Sequence, residues 1–219
     1  MEFPRRLVDG YHAFRNTRLR VEQEHYRKLA DTGQQPEIMV IGCCDSRVSP
    51  EVIFDARPGE LFVVRNVANL VPPYSPTGLA HGVSAALEFA VQALKVRHIV
   101  VLGHARCGGI RAFAEQETPL SPGDFIGKWM SLIEPAAETV GPRGDRPIAG
   151  YLTQLEQIST IKTLENLMTF PWVSALVQSR RLQLHAAYFD VATGQLSVRD
   201  PEAGAFISIA SAGEQVTQN

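Results

Sequence analysis

Cysteine is scarce: three residues in 219, two of them adjacent at Cys43 and Cys44, are too few for a disulfide framework. Such a chain suits a reducing compartment. Net charge is nearly absent as well, because 21 Lys and Arg against 23 Asp and Glu leave only −2. That gives no general attraction to nucleic acid or to an anionic membrane. The longest stretch without Asp, Glu, Lys or Arg, from Asn66 to Leu87, is broken by Pro72, Pro73, Pro76, Gly78 and Gly82, so it is no membrane span. The N-terminus has arginines but no apolar core for a leader, and Glu2 and Asp9 argue against a transit peptide. C-x-x-C, G-x-S-x-G and P-loop patterns are missing too, which removes dithiol redox, serine-hydrolase and P-loop nucleotide chemistry. These absences predict a cytoplasmic protein with neither a membrane nor a nucleic-acid partner.

What is present is the composition of a globular chain, with 45% hydrophobic and 20% charged residues. No repeat, low-complexity tract or linker divides it, so residues 1–219 read as one domain with residues 1–32 as a helical arm. Leu7, Tyr11 and Phe14 are spaced as on one helix face from Pro4 to about Ala30, with Gly10 as the weak point. Seven Lys or Arg in the first 30 residues are mixed with four acids, the pattern of a solvated face. Ile38–Ile41, Leu61–Arg65 and His98–Leu102 are short, uninterrupted and rich in β-branched residues, as expected of strands covered on both faces. A helical stretch from about Thr77 to Leu94 is long enough for a crossover and makes the strands it joins parallel. Helical pattern returns over about Asp124–Met168, broken at Gly141–Gly150, and again after Pro171. Leu182–Asp190, the turn Ala192-Thr-Gly194 and Gln195–Val198 read as a strand with a returning edge strand. The predicted class is α/β: a mostly parallel central β-sheet flanked by helices, with an N-terminal helical arm.

The first strand runs into Gly42-Cys43-Cys44-Asp45-Ser46-Arg47, and the third into Gly103-His104-Ala105-Arg106-Cys107-Gly108-Gly109. In an open parallel sheet ligands bind at the carboxyl ends of the strands, so two strands can deliver Cys43, His104 and Cys107 to one point. Taken singly, either motif reads as small buried residues at a strand end. Together they form a soft thiolate and imidazole set that favours zinc and leaves the fourth tetrahedral position open, the mark of a catalytic rather than a structural site. Asp45 and Arg47 add a carboxylate with a bidentate partner.

These motifs resemble the β-class carbonic anhydrases: C-x-D-S-R at Cys43–Arg47 and H-x-x-C at His104–Cys107. The likeness extends through Pro58–Asn69, Gly108-Gly109, Asn166-Leu167 with Pro171, and Leu184-His185 with Asp190, and so from about Gln34 to Val198. It implies one Zn2+ per chain on Cys43, His104 and Cys107, and reversible hydration of carbon dioxide to bicarbonate. Zinc so held lowers the pKa of its water towards neutrality and supplies hydroxide. Asp45, held by Arg47, then accepts the hydroxide's hydrogen bond and turns an oxygen lone pair towards the substrate. For the substrate, the plant-type subgroup suggests Gln34, Phe62, Val67, Phe89 and Gly108; Phe89 stands where that subgroup has tyrosine. Cys44 points away from Cys43 along an extended segment and is expected to be a small packed residue. His12, His25 and His81 read as surface residues, and His98 and His185 as structural ones.

Two other activities stay open on this scaffold: hydrolysis of carbon disulfide or carbonyl sulfide, and an inactive zinc-binding or scaffolding role. A homodimer or a higher even-numbered homo-oligomer is expected, because Leu7, Tyr11 and Phe14 have no partner of their own and related enzymes lay such arms across a second subunit. In the bicarbonate-inhibited subgroup the motif aspartate becomes a fourth zinc ligand. A tryptophan three residues before the first cysteine and a tyrosine one residue before the late-strand aspartate line the inhibitory site there. In this chain those positions hold Val40 and Phe189, with Tyr188 one place early, although Arg65 matches. The expectation is therefore an open site with Asp45 paired to Arg47, a closed state with Asp45 on the metal being the alternative.

Overall fold

The computed structural model describes residues 3–77, 81–116 and 118–209. The chain divides into two compact units, one ending at Gln35 and the other starting at Pro36. In the first, α1 (Arg5–Asn16) and α2 (Arg18–Thr32) form a helical hairpin. The break falls at Thr17 rather than at Gly10, because the Thr17 backbone leaves the helical region (φ −119°, ψ −87°) while its hydroxyl donates back to the Ala13 carbonyl at 2.8 Å. Phe14 meets Tyr26 edge-on across the hairpin, with ring centroids 6.1 Å apart. Neither helix has a buried residue, and Leu7, Tyr11 and Val21 lie exposed.

The second unit is built on a six-stranded sheet: β1 (Ile38–Cys43), β2 (Leu61–Asn66), β3 (His98–His104), β4 (Gln183–Phe189), β5 (Leu196–Arg199) and β6 (Phe206–Ser208). The spatial order is β2-β1-β3-β4-β5-β6; the first four strands are parallel and the last two antiparallel. The chain steps from β1 to β2 on one side and then returns to β3 on the other, so the strand order reverses between β1 and β3. That reversal opens a crevice at their carboxyl ends, where open α/β sheets bind ligands.

The expected strands are present; the first three run one or two residues further towards the crevice, so that Cys43 and His104 fall inside β1 and β3, whereas β4 is one residue shorter at each end than the expected Leu182–Asp190. The stretch read as one crossover helix is α4 (Gly82–Glu88) continued by a wider π-helical turn, Phe89–Leu94, which Lys95 ends in a left-handed conformation; residues 78–80 of that reading lie outside the described residues. The later helical zone holds α6 (Phe125–Met130), a 3-10 turn, α7 (Glu134–Val140) and α8 (Ile148–Met168), with α9 (Pro171–Gln178) following. Two short helices, α3 (Pro50–Ile53) and α5 (Gly108–Ala114), and the edge strand β6 have too few residues to show a period in sequence.

Strand alternation splits the sheet into two faces. Met39, Ile41, Ile99 and Val101 point to a core completed by Leu87 from α4, Leu167 from α8, Phe170 from the link between α8 and α9, and Val173 from α9. Val40, Leu102 and Ala187 are buried on the opposite face, where Ile38, Leu61, Val63, Val100, Leu196 and Val198 are only partly covered. No described helix is long and apolar enough to cross a membrane.

Candidate metal centre

Cys43 ends β1, His104 ends β3, and Cys107 immediately precedes α5, so the strand reversal places all three around one crevice. Each is buried, and their Sγ and ring nitrogen atoms lie within 4.8 Å of one another. His104 Nδ1–H donates to the Ala105 carbonyl at 2.9 Å, which fixes the tautomer and leaves Nε2 as a lone pair. That Nε2 is buried with no hydrogen-bond partner. A lone pair desolvated without a donor is costly unless a cation takes it. Two thiols and an unpartnered imidazole nitrogen are a donor set that fits zinc. Hydrogen bonding between the sulfurs lowers the pKa of the Cys43 thiol and raises that of Cys107.

Backbone donors complete the surroundings of Cys43. The N–H groups of Asp45 and Ala68 both point at its Sγ, at 3.4 and 3.3 Å. To offer its N–H there, the turn after β2 holds Ala68 and Asn69 at φ 64° and 49°, a left-handed conformation that costs non-glycine residues energy. Trp129 secures this turn by donating its indole N–H to the Val67 carbonyl at 2.8 Å.

Asp45 and Arg47 form a fork-to-carboxylate pair: Nε to Oδ1 at 2.9 Å and Nη2 to Oδ2 at 2.6 Å, with the Arg47 backbone N–H also on Oδ1 at 3.0 Å. The guanidinium holds the Asp45 carboxyl well below the usual carboxylate range. Arg47 Nη2 also donates to the Arg106 carbonyl at 3.1 Å, which ties the first ligand loop to the second. Arg65 clamps the first loop from β2, donating to the carbonyls of Cys43 at 2.8 Å and Asp45 at 2.7 Å.

Val67 borders the crevice beside Gly109, where a Cβ would meet its Cγ1 at 2.7 Å. Gly108 opens α5 with open space at its Cβ position. Phe62 lies elsewhere: it pairs with Met39, four rows below the Cys43–Asn66 row, and its ring packs against Phe89 at 6.0 Å. At the usual strand rise that is about 13 Å along β2. Gln34 is exposed near the end of the first unit. Cys44 differs from expectation: it is exposed rather than packed, because alternation turns it outward just where the strand ends.

Sequence reasoning did not identify Glu156, Ala68 or Trp129. Glu156 is a buried carboxylate on α8 whose Oε1 accepts the Cys107 backbone N–H at 3.0 Å and whose Oε2 accepts the Tyr188 hydroxyl at 2.5 Å.

An open α/β sheet that gathers two thiols and an imidazole at its reversal point presents a soft, three-residue donor set that could hold a metal ion. A family model described as carbonic anhydrase matches residues 38–196. The chain is 39% identical over 181 residues to β carbonic anhydrase 5, chloroplastic, of Arabidopsis thaliana, covering 81% of this chain and 58% of that relative. It is 35% identical over 206 residues to a carbonic anhydrase of Pseudomonas aeruginosa, covering 94% of this chain and 92% of the relative. Among solved structures, the β-carbonic anhydrase CcaA superposes with a TM-score of 0.86 at 27% identity, over 93% of this chain and 90% of that one. A tetrameric β-carbonic anhydrase of Sordaria macrospora gives 0.76 at 28% identity, over 92% and 96%. The chain belongs to the carbonic anhydrase family, in its β class.

Proposed function

We propose that this protein is a zinc-dependent carbonic anhydrase that interconverts carbon dioxide and bicarbonate, with one zinc per chain on Cys43, His104 and Cys107. The observation that carries this reading is the convergence of those three buried donors within 4.8 Å, with His104 Nε2 left without a hydrogen-bond partner. When bound, zinc supplies a positive charge that acidifies water and so provides a nucleophile at neutral pH.

The chain's own residues do the rest. Asp45, its two oxygens fixed by the Arg47 fork, keeps lone pairs free to accept a hydrogen bond from the nucleophile's O–H and orient it. Its depressed pKa keeps it an acceptor throughout the physiological range. Val67 gives the crevice an apolar wall suited to carbon dioxide, and Gly108 leaves open space at the start of α5. Gln34 is kept as a candidate substrate contact. Phe62 and Phe89 sit too far down the sheet to wall this chain's own crevice, so their role in a substrate pocket requires a second copy. An even-numbered homo-oligomer with a homodimer as its smallest unit supplies one. The exposed apolar residues of the arm and the partly covered sheet face support that assembly, and a tetrameric relative is among the similar structures. We place the enzyme in the cytoplasm, where the exposed Cys44 and the ligand thiols stay reduced.

The site is read as open, with Asp45 on Arg47 and the fourth metal position free. Tyr188, the hydroxyl nearest in sequence to the inhibitory tyrosine, is committed to Glu156, and Val40 is buried in the opposite face. Bicarbonate therefore finds few of the contacts that would favour a closed state.

Stopped-flow hydration of carbon dioxide together with metal analysis of the same sample tests the assignment. One zinc per chain with hydration activity is expected; zinc without activity, or activity without zinc, refutes it. Sedimentation of a chain lacking residues 1–30 tests the assembly, and a fully active monomer would contradict it.

A further inference from the structure

The second ligand loop is held from a distance. α8 packs against β3 and β4 along a buried polar stripe of Glu156, Ser159, Thr160 and Thr163. A Cβ at Gly103 would collide with Thr160 Oγ1, so glycine in β3 is what lets the helix lie this close. One turn before Thr160, the same approach brings the Glu156 carboxylate against the Cys107 peptide. Glu156 is 2% exposed, and no ion pair among the described residues includes it. An unpaired carboxylate is expensive to bury, and an apolar side chain would fill the space at less cost. Both of its oxygens are nevertheless occupied, by the Cys107 N–H at 3.0 Å and the Tyr188 hydroxyl at 2.5 Å. The residue before Cys107, Arg106, is in the left-handed region at φ 60°, so the peptide that Glu156 holds belongs to a strained turn that would relax without restraint.

We propose that Glu156, itself oriented by Tyr188, is a positioning residue that fixes the Cys107 peptide and thereby aims the Cys107 sulfur at Cys43 and His104. This rests on reading those three residues as the zinc ligands. The carboxylate acts here as a hydrogen-bond acceptor and touches neither substrate nor metal. Arg65 does the corresponding work for the first loop through the carbonyls of Cys43 and Asp45.

The test measures zinc release from the purified holoenzyme to a colorimetric chelator, with folding followed by circular dichroism. Wild-type zinc content comes first: a wild-type protein without zinc defeats the ligand assignment itself. With zinc present, Glu156→Ala is expected to release it about 10- to 100-fold faster, the usual effect of removing support behind a metal ligand. Glu156→Gln keeps an oxygen for the Cys107 N–H and is expected to stay within about threefold of wild type. In cobalt-substituted protein the thiolate-to-cobalt absorption should weaken in Glu156→Ala and return in Glu156→Gln. Unchanged release from a folded Glu156→Ala overturns the inference while leaving the ligand assignment intact. So does release from Glu156→Gln as fast as from Glu156→Ala. If Glu156→Ala does not fold, Tyr188→Phe, which frees the second oxygen but keeps the carboxylate, decides: a several-fold faster release supports the proposal and a wild-type rate overturns it.

Discussion

The loop after β1 and the loop after β3 bring their cysteines to the same crevice, yet they are held by different physics. The first is gripped at its surface by two guanidinium groups, Arg47 within the loop and Arg65 from the neighbouring strand. The second is gripped from inside by a buried carboxylate on a helix 49 positions further along the chain. Local charge pairs leave a trace in sequence, since Asp45 and Arg47 are two residues apart and Arg65 faces Gly42 across the ladder. A remote buried acceptor leaves none.

The most severe way to break the comparison is to remove a sulfur from either side. Because a three-ligand site has none to spare, Cys43→Ser and Cys107→Ser should lose zinc and hydration activity to the same full extent, whichever loop is cut. Cys44→Ser, at an exposed position, should keep both. Metal analysis beside stopped-flow hydration reads all three variants, and zinc retained by either ligand variant contradicts the assignment.

That equality also marks where the sequence was legible. The strands are legible as short β-branched runs with the two polar motifs at their ends, so the sequence pattern alone brings the three donors together. Strand ends were short by one or two residues because Gly42, Gly103 and His104 carry no β-branched signal. The hairpin break at Thr17 was hidden because a β-branched residue with a back-bonding hydroxyl is also common inside helices. Glu156 was hidden for a deeper reason. In a helix whose neighbours include Gln154, Gln157 and Lys162, a glutamate reads as solvated, and only the close approach permitted by Gly103 turns it inward.

A smaller effect separates chemistry from metal retention in the first loop. Asp45→Asn leaves the thiolates in place but replaces one acceptor oxygen with a donor, so it should keep zinc while hydration falls by about 10²-fold or more. Arg47→Lys keeps the charge but loses the fork, and its loss should be milder, about tenfold. Loss of zinc from Asp45→Asn would mean that this carboxylate supports the metal rather than the substrate step.

Smaller still is the expected effect of Arg65→Gln. It removes donors from the Cys43 and Asp45 carbonyls, but the loop is partly open to water, which can replace them. Zinc release should quicken only a few-fold, less than for Glu156→Ala, whose orphaned N–H is buried. If Arg65→Gln proved the worse of the two, the contrast between a solvated clamp and a buried one would fail.

The smallest effect belongs to neither loop and serves as their control. His98 and His185 meet on β3 and β4 at 3.1 Å, at the opposite end of the strands from the crevice. Burial, and then the charge of His98, lower the pKa of His185. A base with a depressed pKa binds fewer protons folded than unfolded, so its contribution to stability is intact above the unfolded value near 6.5 and is lost as pH falls below it. Melting temperature should therefore drop between pH 7.5 and pH 5.5, and His185→Gln, which cannot titrate, should flatten that drop by roughly 1–3 °C. Because the pair lies away from both clamps, zinc release measured at pH 7.5 should be the same in His185→Gln as in wild type. A change there would show that strain from this end of the sheet reaches the ligand loops, and the two clamps could then no longer be treated as independent.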